Sequence, residues 1–175
     1  MRQQIAKVKI RVEGGDKYKP EFQGDQKYSV CMDLKAKLPK DRKGNLARLR
    51  IYPGEVAEVH TGVFLELPEG FEAEIRPRSG LALKDGVTVI NSPGTIDTGY
   101  RGELIIGLTN LKHSNVDTFS GMPDKNHLPC RIEDGDRIAQ LAIREIPKVE
   151  VEWIEKKEEL TSTARGNKGI GSTGK

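Results

Sequence analysis

The sequence predicts an all-β fold, a sandwich or barrel, with one short helix and a flexible glycine-rich C-terminal arm. Three observations point there. Apolar residues repeatedly alternate with charged ones at the two-residue period of a half-buried strand. Glycine and proline, 19 and 9 of 175 residues, cut these runs into short pieces. Helical periodicity is nearly missing.

Taken in order, Ala6, Val8, Ile10 and Val12 alternate with Lys7, Lys9 and Arg11 as a first strand. Val63, Leu65 and Leu67 alternate with Phe64 and Glu66. After Pro68-Glu69-Gly70, Phe71, Ala73 and Ile75 resume the alternation against Glu72 and Glu74. Two such runs across so short a turn predict a hairpin. The helix is expected over Ser79–Asp85, capped by Ser79 and stopped by Gly86. Leu104-Ile105-Ile106 is a continuous apolar run, as in a strand buried on both faces. Arg137–Ile143 is another strand, and Val149, Val151 and Trp153 alternate with Glu150 and Glu152.

The chain reads as one domain over residues 1–155 followed by an arm over 156–175. Residues 112–129, a largely polar stretch of 18 residues with Gly121, Pro123 and Pro129, exceed the length of an ordinary structureless loop and read as a surface insert. The stretch Arg165 to Gly174 holds four glycines. It buries too little to order itself, so it is a plain tail or an arm that orders on a ligand.

Charge narrows the function classes. Lys+Arg 29 against Asp+Glu 26 gives +3, without the basic stripe that a nucleic-acid coat requires. No run approaches the roughly 18 apolar residues of a membrane span. Met1–Gly15 has no apolar signal-peptide core, and Cys31 and Cys130 build no disulfide framework, so a cytoplasmic protein is expected. His127 and Cys130 offer half a zinc site. His60, His113 and Cys31 lack the spacing to complete it.

Four segments carry chemistry. Arg76-Pro77-Arg78-Ser79-Gly80-Leu81-Ala82 puts Ser-Gly at a helix start, where free N–H groups and the dipole favour an anion beside Arg78. An ordinary capped helix would look the same. Asn91 to Gly102 packs Asn, Pro and Gly between apolar runs, as in a wide hairpin loop. There Asp97 suits a water and Tyr100 suits a sugar; a turn aspartate and a packed tyrosine are the plain alternative. Gly135-Asp136-Arg137-Ile138-Ala139-Gln140 is a turn entering a strand. A simple pair accounts for Asp136 and Arg137, while Gln140 alternates away from Ala139 and Leu141 towards solvent or a ligand. In the arm, glycines permit close approach to phosphate oxygens, and Arg165 suits a terminal phosphate.

In this order the segments resemble the motifs of the trimeric dUTP pyrophosphatase (dUTPase) family. Arg78–Ala82 looks like the second motif, Asn91–Gly102 the third, Gly135–Gln140 the fourth and Arg165–Gly174 the fifth. Cys31-Met32-Asp33-Leu34 resembles the first more loosely. The motifs run from Asp33 to Gly174, nearly the whole chain.

The resemblance implies a jelly-roll-like β-barrel subunit in a homotrimer. Sites would lie at subunit interfaces, with one subunit's arm covering a site built by the other two. The reaction would convert dUTP and water into dUMP and pyrophosphate, with Mg²⁺ on the triphosphate. Asp97 would orient and deprotonate the water attacking the α-phosphorus. Asp33 would touch the metal's water shell. Arg78, Ser79 and Gly80 would hold phosphates, and Gln140 would bridge to the α-phosphate or the water. Uracil would be read by the Asn91–Tyr100 hairpin, through the Asn91 side chain and backbone groups, Thr95 and Ile96 among them. Tyr100 would lie under the deoxyribose. Arg165, Ser172 and Thr173 would clamp the β/γ end of the triphosphate as the arm closes, and Gly169, Ile170 and Gly171 of the same arm would also contact the substrate.

Two departures stand out. Ile170 occupies the place of the family's phenylalanine that stacks on uracil, which implies a weaker lid or faster product release. Family members usually connect the third and fourth motifs more tersely, and some phage-type relatives carry an insert there that contacts protein partners. Residues 112–129 are expected to be a surface loop without a catalytic role, with a regulatory, partner-binding protein on the same scaffold as the alternative. A second alternative, dCTP deaminase, shares the fold, but its catalytic glutamate and second-motif arginine correspond to Gly107 and Leu83 here.

Overall fold

The computed structural model describes residues 6–25, 27–40, 44, 47–112, 128–164 and 166–167. Eleven strands are described: β1 (Lys9–Val12), β2 (Glu21–Phe22), β3 (Cys31–Lys35), β4 (Leu49–Ile51), β5 (Val56–Glu66), β6 (Phe71–Pro77), β7 (Val87–Val89), β8 (Gly94–Ile96), β9 (Glu103–Asn110), β10 (Cys130–Ile132) and β11 (Arg137–Glu145). One helix, α1 (Ser79–Asp85), follows β6. The expected all-β, jelly-roll-like architecture is what these elements form. Among the described residues, no helix is long and apolar enough to cross a membrane.

The strands build a four-stranded sheet β1-β5-β9-β7, a five-stranded sheet β2-β3-β11-β6-β8 and a pair β10-β4. Period-2 alternation sends Val59, Val63 and Leu65 of β5 and Leu104, Ile106 and Leu108 of β9 inward from the first sheet. Leu34, Ala73, Ile75, Ile138 and Leu141 meet them from the second, and Ile51 and Ile132 close one end. All are at most 4% exposed. Burying a side chain of this size contributes about 1.5–3 kcal/mol, so the interface between the sheets dominates stability.

Four expectations need correction. The runs around Pro68-Glu69-Gly70 are not a hairpin, because β5 and β6 lie in different sheets. The turn carries the chain across the core, and alternation alone reads the same for a strand that pairs and one that faces its neighbour. Ser79 is not the helix cap. Arg78 occupies that position in an extended conformation, with no side-chain cap bond. Leu104-Ile105-Ile106 is not buried on both faces, since Ile105 is 47% exposed. Val149, Val151 and Trp153 form no strand, and Trp153 is 91% exposed.

Gly86 does stop the helix. Its φ of 69° and ψ of 12° are left-handed, and its N–H reaches the Ala82 and Leu81 carbonyls. Most of the proposed insert, 113–127, lies outside the described residues, as do 165 and 168–175 of the arm.

Candidate active site

A buried carboxylate organises one group of site residues. Asp33 on β3 has no exposed side-chain surface. Its Oδ1 accepts from Arg78 Nε at 3.1 Å and from Gln140 Nε2 at 3.2 Å. Its Oδ2 lies 3.5 Å from Arg137 Nη1. Arg78 also donates from Nη1 to the Arg137 carbonyl at 3.2 Å. Two guanidiniums against one carboxylate leave a positive corner, and burial keeps the carboxylate's partners close. Ser79 and Gly80 open α1 beside it, both exposed, and a Cβ placed on Gly80 meets nothing.

The strands explain the convergence. Gln140 of β11 pairs directly with Asp33 of β3. Arg137, three residues earlier, would face the other side of a regular strand. A register shift between Arg137 and Ala139 turns it towards Asp33. The simple Asp136–Arg137 pair expected from the sequence does not form. Asp136 Oδ2 instead accepts the Glu133 N–H at 2.7 Å, and Arg137 reaches Gln23 Oε1 at 2.6 Å. No one-dimensional period reveals a bulge, so this residue was missed.

The turn before Arg137 is clamped. Asp134 accepts from the Tyr18 hydroxyl at 2.8 Å, from the Leu38 N–H at 2.8 Å and from the Lys17 ammonium. Burial pushes its acid up, but the Lys17, Leu38 and Tyr18 donors outweigh that and hold it below the ordinary value. Burial, then the bond and charge of Asp134, push Tyr18 up to about 12.

A second group stands on the loop between β7 and β9. These two strands pair antiparallel, while β8, inside the loop, crosses to pair with β6. Asp97 follows β8 and is exposed. Its carbonyl accepts the Tyr100 N–H at 3.0 Å. The Thr98 hydroxyl ties the turn to the Phe71 carbonyl at 2.6 Å. The Asn91 side chain lies across Gly94, where an added Cβ would stand 3.3 Å from its amide nitrogen. Thr95 is exposed and Ile96 is partly buried against the core.

One chain does not bring the two groups together. Ile96 pairs with Ala73 and Gly94 with Ile75, so Asp97 is level with Glu72 at one end of β6. Gln140 pairs with Arg76, and Arg78 follows the other end. From the level of Glu72, four residues of strand, roughly 13 Å, lead to the level of Gln140, and six, roughly 20 Å, to Arg78. Arg165, Gly169, Ile170, Gly171, Ser172 and Thr173 lie outside the described residues.

The donor set bears on a metal. Among the described residues, no three His, Cys, Asp or Glu side chains cluster as ligands. Asp33, expected at the metal's water shell, is fully buried and already held by Arg78, Arg137 and Gln140. Among the described residues, the groups around Asp33 offer donors suited to phosphate oxygens.

Known proteins resemble this chain in sequence and in fold. The dUTPase family model matches residues 45–122. A deoxyuridine 5'-triphosphate nucleotidohydrolase of Hydrogenobaculum sp. is 52% identical over 124 residues, covering 71% of this chain and 74% of that protein. One from Clostridium tetani is 45% identical over 148 residues, covering 80% and 90%. A mutant dUTPase of Staphylococcus bacteriophage 80alpha, solved with dUpNHpp, gives a TM-score of 0.68 at 25% identity. That match covers 96% of this chain and 98% of that one.

Proposed function

The chain belongs to the dUTPase family, and from that premise we propose that its active site is completed between protomers of a homotrimer. As a dUTP diphosphatase it converts dUTP and water into dUMP and pyrophosphate. The observation that carries the proposal is the register that puts Asp97 and Arg78 at opposite ends of β6 within one chain, roughly 20 Å apart along the strand. Both groups are needed at one triphosphate, so a neighbour supplies the second.

In this reading Arg78, Ser79 and Gly80 bind phosphate oxygens of the substrate. Asp33 and the Arg137 carbonyl hold Arg78 in place. Gln140, fixed to the same carboxylate, lies where it can bridge to the α-phosphate or the attacking water. The neighbour's exposed Asp97 orients that water and takes its proton as the oxygen bonds to the α-phosphorus. The bond to the bridging oxygen breaks, and pyrophosphate leaves. Mg²⁺, when bound on the triphosphate, draws charge from the departing phosphates. The β8 hairpin reads uracil through backbone groups and Asn91, and Tyr100 walls the deoxyribose. Arg165 and the Gly169–Thr173 stretch close the phosphate end and exclude bulk water. Gly107 offers no side chain where a deaminase would need its glutamate, so hydrolysis is favoured over deamination.

Mixing two inactive variants tests the arrangement. Arg78→Ala and Asp97→Asn chains, each silent alone, are co-expressed and assayed for pyrophosphate release from dUTP. Random assembly leaves about a quarter of shared sites with both native residues, so activity returns to about that fraction. Mixtures as inactive as the parents would show that both residues serve the site from one chain.

A further inference from the structure

We infer that Gly102 and the His60–Glu103 pair set the discrimination between deoxyribose and ribose, by fixing where the Tyr100 ring stands. The inference rests on the reading of Tyr100 as the sugar wall, and it makes the other three positioning residues.

The segment from Asp97 to Glu103 folds back on itself. The Tyr100 N–H donates to the Asp97 carbonyl at 3.0 Å, and the Tyr100 hydroxyl donates to the Glu103 carbonyl at 2.8 Å. Between them the ring lies over Gly102. A Cβ at residue 102 would overlap the hydroxyl, stand 2.6 Å from Cζ and lie 3.0 Å from Cε2. The φ of Gly102 is not left-handed, so its backbone would accept other residues. The tyrosine ring is what demands glycine there. Arg101 locks the same turn, donating from Nη1 to the Thr98 carbonyl at 2.7 Å and the Tyr100 carbonyl at 2.9 Å.

Glu103 is pinned from the opposite side. Its Oε2 lies 2.8 Å from His60 Nδ1, and its Oε1 accepts the Gly62 N–H at 2.7 Å. Burial pushes its acid up, but His60 and the Gly62 N–H outweigh that and hold it below the ordinary value. Both anchors belong to β5, where the register with β9 shifts between His60 and Phe64. The carbonyl that receives the Tyr100 hydroxyl is therefore tied to a sheet. A 2′-hydroxyl differs from hydrogen by one oxygen atom, and shape alone rejects such an addition by only about 10²-fold. Displacing the wall by about 1 Å is enough to erase much of that.

The test measures kcat/KM for dUTP and for UTP in wild type, Gly102→Ala, Tyr100→Phe and His60→Ala. The dUTP:UTP ratio is expected to fall roughly tenfold in Gly102→Ala and about threefold in Tyr100→Phe, which keeps the ring and loses its tether. His60→Ala should move the ratio the same way. A purely structural defect would lower both substrates together and leave the ratio alone. An unchanged ratio in both Gly102→Ala and Tyr100→Phe overturns the inference, and Tyr100→Phe decides it if Gly102→Ala does not fold. An unchanged ratio in His60→Ala removes the pair from the assignment. A wild-type protein that releases no pyrophosphate from dUTP would instead remove the underlying reading.

Discussion

Asp97 is exposed on a turn whose backbone is bonded to Tyr100 and, through Thr98, to the Phe71 carbonyl. Its side chain makes no described bond that stability depends on. Asp97→Asn should therefore keep the thermal midpoint within the small range of surface substitutions, about 0.5 kcal/mol. Turnover of dUTP should fall by roughly 10²–10⁴-fold, while dUMP binding, read by calorimetry, persists. Full turnover would show that another group accepts the water's proton. Asp97, Arg78 and Gln140 were legible because they sit inside motifs. Arg137 was not, because its direction depends on a bulge. Asp33 was legible as a motif residue, but its burial among two guanidiniums and an amide was not.

At the scale of elements, two junctions hold the phosphate corner. One is the end of α1, where Gly86 is left-handed and a Cβ would press Lys112 Cγ at 2.7 Å. Gly86→Ala should cost about 1–2 kcal/mol, seen as a lower denaturant midpoint. An unchanged midpoint would mean the chain relaxes freely there. The other is the Asp134 clamp before β11. Asp134→Ala strands the Tyr18 hydroxyl and the Leu38 N–H, and should destabilise by about 2–4 kcal/mol at neutral pH. Because the folded acid lies below its unfolded value, that contribution is present above about pH 4 and fades as pH falls through the folded value. The gap between wild type and Asp134→Ala should therefore narrow in acid. Tyr18 works in the opposite sense. Raised to about 12, it contributes fully below pH 10, and the contribution is lost as pH climbs towards 12. Equal acid sensitivity of the two proteins would discount the clamp. Gly86 was readable from sequence as a helix stop, whereas the pairing of Tyr18 with Asp134, 116 positions apart, was not.

At the scale of the whole molecule, several apolar side chains stand exposed. Ile105 is 47% exposed on the first sheet, and Val149, Val151 and Trp153 are 74%, 64% and 91% exposed beyond β11. Alternation there predicts a strand, yet no sheet among the described residues takes it up. Assembly of the proposed trimer would bury such a segment. Trp153 is the one tryptophan, so its emission should shift to the blue in the assembled protein and to the red on dilution, with sizing reporting the same transition. Emission independent of concentration, together with a monomeric mass, would refute assembly. The sequence by itself determined the β class, the short helix and its glycine stop, and the identity of the motif residues. Those depend on neighbours one to four positions away, which local propensity and periodicity record. Only the tertiary structure decided that β5 and β6 part into different sheets, that Arg137 turns to Asp33, and that Asp97 stands at the far end of β6 from Arg78. Each of these is set by contacts between residues distant in the chain, and a two-residue period is blind to which sheet, or which end of it, a strand will occupy.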